Sequence, residues 1–178
     1  ALEKGKSVCT SNKELVATYG DELLQIAKDQ DVSFMFEASV GGGIPIIRPL
    51  YQCLTANCIN RIYGILNGTT NYILSKMEKE GADFADVLKE AQEKGYAERN
   101  PEADVEGYDA GRKIAILASL VCGKTVSYEK IYVEGISSIS SVDFMYAGKM
   151  GMSIKLLGQS QMVGEEVAAM VSPCLVKN

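Results

Sequence analysis

Apolar residues recur at helical spacing between positions 14 and 29, where Leu15, Ala17, Leu23, Leu24, Ile26 and Ala27 alternate with polar ones behind Ser11 and Asn12. This pattern predicts a capped helix over 14–29. Residues 32–40, VSFMFEASV, are short, apolar and β-like and stop at Gly41, Gly42 and Gly43, so a strand ending in a glycine loop is expected. A short helix is expected within 44–57 and a second strand over 58–66, CINRIYGIL. Asn67-Gly68-Thr69-Thr70 offers Asn or Thr caps for a helix to about Glu80, and Asp83 opens another amphipathic helix to Glu93, ended by Gly95. From 105 to 121 the chain becomes steadily more apolar and reads as one helix buried in its second half. Beyond it, IYVEGISSIS and MSIKLLGQSQMVGEEVAAMVSPCLV read as strands. Without repeats or a low-complexity linker, these elements indicate a single α+β unit.

Composition narrows the function. With 178 residues, 47% hydrophobic and 23% charged, the chain can bury a sizeable core. No apolar run approaches the roughly 20 residues of a bilayer span, and the opening ALEKGKSVCT lacks a secretory signal's apolar stretch, so a cytoplasmic location without a membrane partner is expected. The net charge of −5 comes from interspersed acids and bases with no basic block. That argues for soluble metabolites as partners and against nucleic acid. Cys9, Cys53, Cys58, Cys122 and Cys174 show no CxxC spacing, and reduced, mostly buried thiols are expected. The sequence contains no histidine. Any proton transfer must therefore use Lys, Asp, Glu, Tyr, Cys or water, and an ordinary zinc ligand set is absent.

The densest polar cluster is AQEKGYAERNPEADVEGYDAGRK, residues 91–113, where Glu98, Asp104, Asp109 and Lys113 stand out. Asp109 and Lys113 are four apart and share a helix face, with the acid on the N-terminal side. One reading is structural: Asp104 caps the helix, and Asp109 and Lys113 form a solvated ion pair. The other is chemical. Lys113 is followed at once by IAILASLV, so it stands where the helix enters the interior. A lysine held there beside carboxylates is suited to polarise a carbonyl and exchange a proton with it. The glycines at 41–43 read either as a phosphate loop, though neither GxGxxG nor GK[ST] is present, or as a tight turn.

The run Ala91-x3-Gly95-Tyr96-Ala97-x2-Asn100-Pro101-x2-Asp104-Val105-x-Gly107-x-Asp109-x3-Lys113 resembles the signature of homoserine dehydrogenases. GKSVCTSNKELVA (5–17), FEASVGGGIPIIRPL (36–50) and GILNGTTNYIL (64–74) resemble the same family in the same order. The likeness covers essentially the whole chain, with small departures such as Ser11, where the family often has Ala. It implies an α+β (α/β) fold: a mixed β-sheet with helices packed on one face, fused to a remnant of a Rossmann domain. Residues 1–30 would be the end of the nucleotide-binding domain, and 31–178 the catalytic, dimerisation domain, truncated at its C-terminus.

The resemblance also implies NAD(P)H-dependent interconversion of aspartate 4-semialdehyde and L-homoserine, in threonine, methionine and isoleucine biosynthesis, by a homodimer formed through the sheet. Carried over by motif, Lys113 would be the general acid/base or electrophile at the substrate oxygen, and Lys13, between cofactor and substrate, the second catalytic candidate. Two neighbouring cations make each other's neutral form easier to reach. Asp109 would position the substrate hydroxyl, Glu98 receive the substrate ammonium, Asp104 support the polar pocket, and Gly68 and Thr69 contact the substrate. The glycine loop resembles a monovalent-cation site for Na+ or K+, formed by the carbonyls of Val40, Gly42 and Ile44 with Glu37 assisting, which would fix the loop. Without the glycine fingerprint of a nucleotide unit, the chain by itself is expected to have little or no dehydrogenase activity. Two readings compete. A thiol-using semialdehyde or phosphosugar dehydrogenase would need a cysteine with a base, normally His. A non-catalytic dimerisation or amino-acid-sensing module would use the acid cluster only as a solvated face.

Overall fold

The computed structural model describes residues 1–177. β1 (Val8–Cys9) and β2 (Phe34–Met35) pair in parallel, Val8 opposite Phe34 and Cys9 opposite Met35, and α1 (Lys13–Asp29) supplies the crossover that parallel neighbours require. Asn12 caps α1, its side chain accepting from Leu15 N at 2.9 Å, and the helix buries Val16, Gly20 and Ala27. The strand expected over 32–40 is confined to β2. Beyond it Ser39 Oγ donates to Phe36 O at 2.6 Å and the chain coils through a 3-10 turn, Glu37–Ser39, so side-chain bonding displaces the ladder. A helical turn of π character, Pro49–Cys53, is the short helix expected within 44–57, and β3 (Arg61–Gly64) is the second strand.

α2 (Gly68–Glu80) and α3 (Phe84–Glu93) form a helix pair. Gly81, at φ 65°, ends α2 in the left-handed conformation that a residue with a Cβ resists. Ile73, Leu74, Met77, Val87 and Ala91 fill the seam and are wholly or almost wholly buried; side chains of the larger kind contribute about 1.5–3 kcal/mol each. Glu90 Oε1 accepts from Lys76 Nζ at 2.5 Å, from Tyr72 OH at 3.2 Å and from Lys94 Nζ. The Lys76 ammonium, and after it that of Lys94, pulls the Glu90 carboxyl from an ordinary 4.5 down to about 2. A folded value below the unfolded one means that the stabilisation is complete above pH 4.5 and is lost as the pH falls towards 2. Thermal melts of the protein and of Glu90→Gln should therefore differ by a constant margin near neutrality and converge on acidification. A margin that survives unchanged at the acid end would contradict this account.

α4 (Glu102–Val105) and α5 (Tyr108–Cys122) replace the single helix expected over 105–121. Gly107 separates them at φ 83°, and a Cβ there would lie 3.0 Å from Val133 Cγ1 and 3.3 Å from Val171 Cγ1. A left-handed turn pressed against neighbouring side chains ends the first helix, which hydrophobic periodicity cannot reveal. α5 then buries Ile114, Ala115, Ile116, Leu117 and Ala118 without a break.

β4 (Tyr132–Val133) is all that forms of the strand expected around IYVEGISSIS. The pattern also missed α6 (Ser141–Lys149), which a capping box of Ser140 and Asp143 opens. β5 (Met152–Val163) and β6 (Glu166–Lys177) form a hairpin through Gly164 and Glu165, with Gly164 at φ 64° as a two-residue turn requires. The four-stranded sheet has the order β3-β5-β6-β4, and β4 runs parallel to β6, Tyr132 opposite Met170 and Val133 opposite Val171. The sheet is therefore mixed, as the α+β class implies.

Two compact units divide the described residues. The first comprises 1–62, 112–131 and 160–169, and the second 63–111, 132–159 and the chain from 170 onward. The cysteines depart from expectation: Cys9, Cys53 and Cys58 are exposed and Cys122 and Cys174 half-buried, all as free thiols. β3 begins only at Arg61, which leaves Cys53 and Cys58 on the segment before it and outside the core. Among the described residues no helix is long and apolar enough to cross a membrane.

Candidate active site

Asn67, Asp104 and Asp109 meet within the second unit. Asn67 caps α2 and is 6% exposed. Its Oδ1 accepts from Thr70 N at 2.9 Å and from Thr70 Oγ1 at 3.1 Å, and its Nδ2 donates to Asp104 Oδ1 at 2.7 Å and Asp109 Oδ2 at 3.0 Å. Asp104 therefore does not cap α5; it lies in α4 and takes the amide of a distant residue. Asp109 is 3% exposed, which removes the reading of a solvated surface pair. A carboxylate so buried needs donors. Asn67 supplies one, and the first turn of α5 adds the favourable end of the helix dipole. Lys113 follows one turn further along α5, half-buried, ahead of the apolar run.

Gly68 is the first residue of α2 and is exposed. Thr69 Oγ1 donates to Tyr96 O at 2.8 Å and ties the start of α2 to the loop that carries Glu98. The Tyr96 ring meets Tyr72 edge-on, with centroids 4.9 Å apart. Gln92 Nε2 donates to the carbonyls of Glu98 and Arg99 at 3.1 and 3.4 Å. The backbone of Glu98 is thus held from α3 while its carboxylate stands exposed, an arrangement suited to a cationic ligand group.

Lys13, Glu37, Val40, Gly42 and Ile44 lie in the first unit. Lys13 opens α1 and is half-buried. Both oxygens of Glu37 are engaged by the backbone: Ile46 N and Ile47 N donate to Oε1 at 2.6 and 2.8 Å, and Arg48 N donates to Oε2 at 2.7 Å. Partial burial raises the proton affinity of Glu37, but the three amides and the Arg48 guanidinium outweigh it and hold the carboxyl below its usual range. Three of its roughly four lone-pair sites thus anchor 46–48. The Ile44 carbonyl folds back over Gly41, where a Cβ would meet it at 2.7 Å. Backbone carbonyls and a carboxylate are hard donors, of a kind that suits Na+ or K+. No group of three or more His, Cys, Asp or Glu side chains among the described residues could hold a metal ion.

Sequence reasoning missed two residues of this arrangement. Asn67 was legible only as a cap, because the carboxylates it holds are 37 and 42 residues away. Gln92, on a polar helix face, carries no local signal at all.

A family model described as homoserine dehydrogenase matches residues 45–178. The chain is 49% identical over 176 residues to a homoserine dehydrogenase of Neisseria gonorrhoeae, covering 99% of this chain and 40% of that protein. It is 47% identical to one of Bacillus subtilis, covering 99% and 41%. Among solved structures it resembles a homoserine dehydrogenase from Thiobacillus denitrificans with a TM-score of 0.96 at 46% identity, covering 99% of this chain and 41% of that one. It also resembles a hyperthermophilic archaeal homoserine dehydrogenase in complex with NADPH, TM-score 0.85 at 32% identity, covering 99% and 50%. The chain spans about 40% of the length of the curated relatives it matches.

Proposed function

This chain belongs to the homoserine dehydrogenase family, and from that premise we propose that it supplies the substrate-binding and catalytic part of an NAD(P)H-dependent interconversion of aspartate 4-semialdehyde and L-homoserine. The observation that carries the reading is the buried Asp109, held beside Asp104 by one amide and followed one helical turn later by Lys113. In this reading Lys113 gives a proton to the substrate oxygen when the aldehyde is reduced and takes it back when the alcohol is oxidised. Asp109 receives the substrate hydroxyl and tunes the lysine, and Asp104 supports the polar pocket. Glu98 pairs with the substrate ammonium, and Gly68 and Thr69 contact the substrate at the start of α2. NAD(P), when bound, supplies or accepts the hydride.

Lys13 would stand beside the cofactor. It heads the helix of the β1–α1–β2 crossover, and a helix joining two parallel strands is the building block of dinucleotide-binding sheets. In this reading residues 1–30 would be the end of a nucleotide-binding domain and 31–178 the catalytic domain. One such crossover holds little of a dinucleotide, so residues 1–178 alone would turn over little substrate. Na+ or K+ held at Val40, Gly42 and Ile44 beside Glu37 would fix the glycine loop. The reading places the protein in the cytoplasm, as a homodimer formed through the sheet, in threonine and methionine biosynthesis.

The test is steady-state kinetics of the full-length protein. Glu98→Gln is expected to raise KM for L-homoserine about 10- to 100-fold with a smaller change in kcat, since a hydrogen bond to a charged group is worth about 1.5–3 kcal/mol. Homoserine bound tightly by a folded, nucleotide-binding protein that never oxidises it would instead support an amino-acid-sensing module.

A further inference from the structure

We infer that Asn67 is a positioning residue for the acid pair, acting through Asp104 and Asp109 without touching the reacting atoms. The inference rests on the proposed function, which gives those two carboxylates their roles. Every hydrogen-bonding site of the Asn67 amide is used. Its oxygen accepts twice from Thr70, at 2.9 and 3.1 Å, and its two protons go to two different carboxylates, at 2.7 and 3.0 Å. The reverse orientation of the amide would aim an oxygen at two acids and an NH2 at the Thr70 N–H, so the network fixes which end is which.

Capping alone would not require this residue. Serine and aspartate cap a helix as well as asparagine does. Neither can cap and also donate two protons to two acids. Asn67 is 6% exposed and Asp109 3% exposed, so little solvent reaches these groups to replace the bonds. A neutral donor shared by two acids holds them close without adding a cation. It also ties their spacing to the start of α2, where Gly68 and Thr69 stand. The charged residues next to this pair in the chain are Glu102 and Glu106 on either side of Asp104, with Arg112 and Lys113 following Asp109 in α5.

The test uses the full-length protein and two variants, Asn67→Ser and Asn67→Asp, both of which keep an acceptor for the Thr70 amide. Homoserine oxidation is followed from pH 6 to 10 beside thermal melts. Both variants are expected to fold and to lose about 10- to 100-fold in kcat, the scale of a misplaced catalytic group. The acid limb of kcat/KM should move upward in Asn67→Asp, because an added carboxylate at the site favours the protonated form of the base that takes the alcohol proton. For a residue that only caps, both variants would leave the melt, kcat and the pH profile in place, because Ser and Asp cap as Asn does. Folded variants with wild-type kcat and profile would overturn the inference, and so would loss of fold in both, which assigns the Asn67 network to holding the fold together. A folded wild-type protein without homoserine turnover overturns the proposed function, and this inference with it; wild-type turnover with unaltered variants overturns the inference only.

Discussion

Replacing Lys113 by alanine in the full-length protein is expected to lower kcat for homoserine oxidation by about 10²- to 10⁴-fold, the contribution of a positioned general acid or base. The size follows from how little else could do the work. The sequence has no histidine, and Asp109, the acid nearest Lys113 along α5, is already engaged by the side-chain amide of Asn67. The fold should survive, because alanine extends a helix better than lysine and Lys113 precedes the packed run of Ile114, Ala115, Ile116, Leu117 and Ala118. Circular dichroism checks the helix and steady-state kinetics the rate. Added primary amines should restore part of the activity through the space left by the side chain. A well-folded variant with wild-type kcat would remove Lys113 from the chemistry.

Gly135→Ala is expected to cost about 1–3 kcal/mol or more, the range for forcing atoms into a filled space, and to lower Tm by several degrees. A Cβ at Gly135 would stand 2.4 Å from Val105 O and 2.6 Å from Glu106 Cα, both backbone atoms that cannot swing aside as a side chain would. The same backbone is bonded there, Ile136 N donating to Val105 O at 2.8 Å. Relief can come only by displacing the 104–109 turn, so activity should fall together with stability. Gly148→Ala is the control: it lies in α6 with nothing within 4 Å of a built Cβ, and it should leave both nearly unchanged or raise Tm slightly. Equal melts for the two variants would show that the close approach relaxes at no cost.

Much of this architecture was legible in the chain, and the exceptions share a cause. α1, α2 and α3 declared themselves because each carries a local boundary signal: Asn12, Asn67, and Asp83 with Gly95. The helix drawn over 105–121 failed at Gly107, whose left-handed turn is fixed by Val133 and Val171 across the fold. The strand drawn over 32–40 failed because Ser39 and Glu37 bond to the backbone and curl the segment back. α6 did carry a signal, the Ser140-x-x-Asp143 capping box, which the apolar alternation around it obscured. At the site, Asp104 and Asp109 stood out in an acidic run, but their common partner did not. Asn67 belongs to them only after α2 and the 104–109 turn are brought together.

Hydride transfer from carbon is the most direct test of the central claim. L-homoserine deuterated at C4 is incubated with the full-length protein and oxidised nicotinamide cofactor, and the reduced cofactor is weighed by mass spectrometry. Deuterium in the reduced nicotinamide, formed with aspartate 4-semialdehyde in equal amount and about 10²- to 10⁴-fold more slowly by the Lys113→Ala variant, is the predicted result. A folded protein that binds both homoserine and the cofactor yet yields no labelled product would contradict it.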